Sequence, residues 1–348
     1  MECRNSIIEF YKQFKNVETF EDIVNLLKTE AKMPNVAGSF DNDDGSLRNR
    51  CMRLGCQFAN YYVQYHAMKQ GRPLATVSTN EIIAQGESWG RKFFILLQSG
   101  RVKPLYLITA EASDFINETA LPEAFDEQLF QEYFACPLTL YSDMVHSLFE
   151  DVVGILVYYS QEEKSLECRV SCRNSLGQGG ELGRVFFLDE LKVLKENVVL
   201  DDVDTSQGVM FPQGGITMDD VTHKLSSAIL YAFKFKLLSC CAKTQIVITQ
   251  QFKRRNNPRK VKQLFGTLNY QRVSLTESCS YARRQQKSRD ETITLDKEGK
   301  ERKPIRVRGF LRRQHYGPDN SQVKFVYIEE HDSHSWMRVG LRIIKVKR

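Results

Sequence analysis

The 348-residue chain predicts an α+β fold, and three observations predict it. Apolar residues recur at helical spacing near the N-terminus. Paired β-rich runs separated by turn residues follow in the middle and return near the end. A long apolar helix lies between those two groups of strands. The expected architecture is a helical N-terminus, a central antiparallel sheet covered on one face by helices, and a small basic antiparallel β module at the C-terminus.

Taken in order, Ile7, Ile8, Phe10, Tyr11 and Phe14 form one helical stripe behind Ser6. Phe20, Ile23, Val24 and Leu27 form a second, and Thr19 with Asp22 approximates a capping box in front of it. After the polar stretch Asp41 to Ser46 comes a longer helix. Leu47, Cys51, Leu54, Phe58, Tyr61, Tyr62 and Tyr65 are its expected inward side, and Gly71 its stop. KFFILLQ and KPLYLIT flank Ser99-Gly100 and read as a hairpin. VVGILVYY (Val152 to Tyr159) and SLECRVSC (Ser165 to Cys172) read as a second hairpin around SQEEK. GQGGELG, Gly177 to Gly183, lacks the Lys-Ser/Thr ending of a phosphate loop and reads as a flexible turn. Thr217 opens the long helix, with Asp219 and Asp220 in its first turn where the helix dipole favours them. Val221, Leu225, Ile229, Ala232, Phe233 and Leu237 are its apolar face. Beyond it, TQIVITQ, two runs joined around Gly299, QVKFVYIEE and VGLRIIKVK read as strands.

Charge divides the chain where the long helix ends. Residues 243–348 hold 26 Lys/Arg against 10 Asp/Glu, a net of +16, whereas residues 1–242 hold 23 against 33, a net of −10. The whole-chain value of +6 conceals this. The expected domains are therefore an acidic α+β body, 1–242 (helices in 1–72, hairpins and long helix in 90–242), and a basic β-rich module, 243–348. Such a cationic module is the electrostatic footprint of a polyanion-binding surface.

The composition narrows the class further. No apolar run approaches the roughly 20 residues of a membrane span, and MECRNSIIEF has no basic region leading an apolar core, so no membrane partner and a cytoplasmic location are expected. Nine scattered cysteines, none in a CxxC pair, read as reduced, buried thiols, Cys240 and Cys241 among them.

The densest constellation is RVRGFLRRQHYGPDN, Arg306 to Asn320. Arg306, Arg308, Arg312 and Arg313 are guanidinium forks suited to phosphate. His315 and Tyr316 add aromatic surface on which an unpaired base could stack. Arg254, Arg255 and Lys260, in the loop RRNNPRKVK, extend the basic set. These nine residues are the candidate nucleic-acid site, with RNA ahead of DNA as the ligand. The bland alternative is the solvated face of an edge strand. His331 and His334, in EEHDSHSW, read as a hydrophilic connector rather than a metal site. No catalytic constellation, metal site or cofactor motif stands out. The alternative function is a metal-dependent nuclease built on His315, His331 and acidic neighbours, or a general nucleic-acid-binding accessory protein of a phage.

The segment KPIRVRGFLRRQHYGPDNSQVKFVYI, about Lys303 to Ile328, resembles a C-terminal module of phage and plasmid proteins. Among its bearers is a type V-A anti-CRISPR family. Arg308, Gly309, Phe310, Leu311, Arg312, Tyr316 and Gly317 occupy the matching positions, although Phe310 and Leu311 stand where that family has His and Trp. The resemblance implies a non-catalytic inhibitor from a mobile genetic element, acting in the cytoplasm of a bacterial host. It would recognise a nascent peptide of the RNA-guided effector nuclease during translation and cause loss of the effector's message.

Overall fold

The structure, a computed structural model, describes residues 6–29, 33, 45–69, 71, 73, 79–99, 105–121, 127–142, 146–173, 179–187, 191–194, 197–200, 218–241, 245–250, 270–277, 279–280, 305–307, 309–329 and 331–333. Its centre is a seven-stranded sheet. The strands are β1 (Leu105–Ile108), β2 (Leu138–Ser142), β3 (Val152–Ser160), β4 (Ser165–Arg173), β5 (Gly179–Phe187), β8 (Ile246–Gln250) and β9 (Gln271–Leu275). Their spatial order is β5-β4-β3-β2-β1-β9-β8. The α+β class holds, but the sheet is mixed rather than antiparallel: β1 lies parallel to both β2 and β9, while the other neighbours are antiparallel. A parallel neighbour needs a long return path. Between β1 and β2 that path holds α5 (Ala110–Glu118) and α6 (Glu127–Phe134). Two strands drawn from beyond Lys243, β8 and β9, thus complete the sheet of the body. A separate pair, β6 (Leu191–Leu194) and β7 (Asn197–Leu200), forms a small hairpin.

Helices cover both faces of the sheet, not one. Side chains alternate along β3, so Ile155, Val157 and Tyr159 join a core shared with α5, α6 and α7 (Met218–Cys240), whereas Leu156 and Tyr158 join a core shared with the N-terminal helices. This is why the burial of β3 is unbroken from end to end. The whole expected apolar face of α7 is buried. The N-terminal layer comprises α1 (Ser6–Gln13), α2 (Phe20–Thr29), α3 (Leu47–Lys69) and α4 (Thr79–Gln98). The capping box of α2 forms as expected. The Thr19 N–H donates to Asp22 Oδ2 at 2.9 Å and the Asp22 N–H donates back to Thr19 Oγ1 at 3.2 Å. Gly71, at φ +65°, follows α3 and its N–H donates to the Met68 carbonyl.

Three further expectations are corrected. KFFILLQ is the end of α4, not a strand, and Phe93, Phe94, Ile95 and Leu96 are all buried there. Helices α3 and α4 approach so closely that a Cβ on Gly55 would stand 2.3 Å from the Gly86 carbonyl oxygen and the Gly90 nitrogen. Along α3, Cys51, Leu54 and Phe58 are buried as expected, whereas Tyr62 and Tyr65 are exposed, and Ala59, Val63 and Ala67 take the buried positions of the second half. GQGGELG is not a turn over its described part: Gly179 to Gly183 are the start of β5. Gly183 pairs with Arg169, and a Cβ there would come within 3.0 Å of the Arg169 side chain.

That arginine belongs to a buried charge network tying α4 to β4 and β5. Arg169 reaches Glu167 at 2.6 Å, Glu181 at 3.2 Å and the Ser88 hydroxyl at 2.9 Å, and Lys92 reaches Glu181 at 2.6 Å. Burial pulls the Lys92 ammonium below the usual lysine range, with the Glu181 carboxylate opposing the shift. Of the cysteines, Cys51, Cys168, Cys172 and Cys241 are buried, whereas Cys136 and, against expectation, Cys240 are exposed. Among the described residues no helix is long and apolar enough to cross a membrane.

Candidate nucleic-acid interface

The constellation singled out in the sequence forms a two-stranded antiparallel ribbon, β11 (Phe310–Tyr316) with β12 (Gln322–Ile328). Seven pairs hold it, from Phe310 opposite Ile328 to Tyr316 opposite Gln322. The turn runs from Gly317 to Ser321. Gly317 takes φ +82°, which favours glycine, and Asp319 takes φ +54°, which an aspartate tolerates better than most residues. The Ser321 N–H closes the turn on the Pro318 carbonyl at 3.1 Å.

The root of the ribbon is locked into the body. The Leu311 N–H donates to the Ala120 carbonyl at 2.9 Å, and the Ala120 N–H donates to the Gly309 carbonyl at 3.1 Å. Leu311 and Tyr327 are buried opposite one another, with the Tyr327 ring 5.1 Å from that of Phe115. Gly309 makes this possible, since a Cβ there would stand 1.9 Å from the Tyr327 hydroxyl. The Cys241 thiol, pushed up to about 11 chiefly by burial, donates to the Phe325 carbonyl. Gln245, just before β8, donates to the Glu329 carboxylate at 2.7 Å.

Beyond the root both faces of the ribbon are open. Residues 312–319 and 321–324 are exposed. Alternation assigns the faces. Arg312 and Tyr316 share one with Lys324, whose ammonium lies 5.0 Å from the centre of the Tyr316 ring. Arg313 and His315 share the other with Val323 and the half-buried Phe325. The two arginines of β11 therefore point to opposite sides. Neither has an ion-pair partner among the described residues. Lys324 was missed in the sequence, although the alternation of QVKFVYI places it beside Tyr316 once the register is known.

Of the other expected residues, Arg306 lies in β10 (Ile305–Val307), opposite Asp332 of β13 (His331–Ser333). Arg254, Arg255, Lys260 and Arg308 lie outside the described residues, as do His334, VGLRIIKVK and the expected strand runs around Gly299 as far as Pro304; within the second of those runs Ile305–Val307 is β10. Among the described residues no group of three or more His, Cys, Asp or Glu gathers to hold a metal ion.

Compared with known proteins, the chain matches no family model and no curated sequence. It is similar to a crystal structure of AcrVA2, at 13% identity over 94% of this chain and 96% of that one, with a TM-score of 0.33. That likeness is too distant to assign either a fold or a role.

Proposed function

We propose that this chain is a non-catalytic interaction protein of a mobile genetic element, anti-CRISPR-like in role, that binds RNA through the β11–β12 ribbon and other basic residues of 243–348. The body supplies the surface for a protein partner, such as a nascent peptide of a CRISPR effector. The observation that carries the RNA reading is the ribbon itself. Its arginines and lysine stand clear of the body, while its base is fixed by Leu311, Tyr327 and the exchange of backbone hydrogen bonds with Ala120. A rigid base holding free cations limits the ordering cost of binding a polyanion. The target class comes from the resemblance at Lys303 to Ile328, where Arg308, Gly309, Arg312 and Gly317 match the anti-CRISPR module.

The test uses the full chain, because β8 and β9 belong to the central sheet and a fragment starting at Lys243 would lack its neighbours. RNA affinity is measured across a salt series. Three cations on phosphate give a log–log slope of about −2, at roughly 0.7 per phosphate on a single strand. The triple variant Arg312→Ala, Arg313→Ala, Lys324→Ala is expected to flatten that slope. A flat response in the unaltered chain overturns the RNA reading. In a host expressing a type V-A effector, the unaltered chain is expected to lower the effector's message. An unchanged message level overturns the anti-CRISPR role.

A further inference from the structure

Arg312 and Arg313 are neighbours in sequence, so the alternation of β11 sends their side chains to opposite faces. A single strand lying across one face of the ribbon would meet only one of them. Both can be neutralised at once only if phosphates flank the ribbon on its two sides, and that is the situation inside a groove of a double helix. The exposed length supports insertion. Five β11 residues, Arg312 to Tyr316, are exposed, or about 16 Å of ribbon at roughly 3.3 Å per residue.

We infer that the RNA bound by this ribbon is a base-paired stem whose major groove is opened by a bulge or internal loop. This rests on the RNA reading above and narrows it. Groove width sets the choice. The major groove of an uninterrupted A-form stem is deep and too narrow for side chains to read, whereas its minor groove is wide but shallow and cannot receive a ribbon edge-on. A bulge unstacks the helix and widens the major groove locally. Arg312 and Lys324 then face one phosphate backbone and Arg313 the other, with His315 on the second side. The turn leads into the groove. Its carboxylate, Asp319, is exposed at the tip, where base edges present amino donors instead of phosphates.

The experiment titrates the full chain against four labelled ligands: a bulged RNA stem, the same stem without the bulge, its unpaired strand, and a DNA duplex of the same sequence. Arg312→Ala and Arg313→Ala are tested singly and together. All the changes are on exposed side chains, and unchanged thermal unfolding checks the fold. The bulged stem is expected to bind at least about tenfold tighter than the other three, and each single substitution to lower the salt slope by about 0.7 to 0.9. The two losses should be roughly additive, because the two side chains meet different backbones. Binding of the unpaired strand as tight as the bulged stem, or dependence on only one arginine, overturns the groove inference and leaves the RNA reading standing. Preference for the DNA duplex, or affinity indifferent to both arginines, overturns the RNA reading as well.

Discussion

At the scale of single residues, two small features bear unusual weight. Gly309 takes no left-handed conformation. It is there because a methyl group would occupy the space of the Tyr327 hydroxyl. Gly309→Ala is expected to cost about 1–3 kcal/mol, the usual cost of overpacking, read as a lower urea midpoint, and to loosen the ribbon root so that RNA affinity falls although no phosphate contact is touched. The second feature is Asp22. The Glu18 N–H, and then the Thr19 N–H, hold its carboxyl below the usual carboxylate range. A depressed folded-state value adds stability that is present above the unfolded value, near about 3.9, and is lost as pH falls through the folded one. Asp22→Ala should therefore lower the melting temperature at neutral pH, and the gap to the unaltered chain should close in acid. An equal gap at every pH would show that charge has no part in the cap. This box was legible in the sequence because an N-cap signal is local. The role of Gly309 was not, since its partner lies 18 positions away across a turn whose length sets the register.

At the scale of elements, α4 shows why local reading fails. Its apolar run FFILL fits a buried helix or a buried strand equally, and periodicity over so short a stretch does not separate them. Gly86 and Gly90, which look like breaks, are the contact surface against Gly55 of α3. Gly90→Leu is expected to force the two helices apart and cost more than about 3 kcal/mol, beyond ordinary overpacking, as a fall in thermal midpoint. The same helix is tied to the sheet edge by Lys92, Glu181, Arg169 and Glu167. Removing one member leaves the others buried and uncompensated, so Arg169→Ala should cost about 3–5 kcal/mol in denaturant unfolding. A loss under about 1 kcal/mol would mean that water replaces the guanidinium. From the sequence Arg169 is one charge in an alternating strand. Its burial follows from the N-terminal helices covering that face, which no local pattern announces.

At the scale of the whole molecule, charge and structure divide the chain differently. The charge boundary near Lys243 falls inside one sheet, since β8 and β9 extend it past β1. Residues 1–242 alone would leave the α7 side of the core without Ile246, Val273, Leu275, Leu311 and Tyr327, all buried. Their burial is on the order of 10 kcal/mol at about 2 per side chain, comparable to the roughly 5–15 kcal/mol net stability of a domain. The truncated chain is expected to lack a cooperative unfolding transition and to bind a dye sensitive to exposed apolar surface. A sharp transition would show that the body folds alone. The β3–β4 hairpin and the long helix were readable because their contacts are between neighbours in sequence, whereas the parallel placement of β1 between β2 and β9 joins segments far apart. Of the ribbon, β12 was readable as a strand, whereas β11 stood out only as a basic constellation, and which cations share a side depended on the register. Seen across generations of related genes, the tyrosine at 327 and the glycine at 309 form a lock in which one tooth is cut to fit the other. Trimming the ring to a smaller side chain would free position 309 to accept ordinary residues, so the two sites should change hands together rather than one at a time.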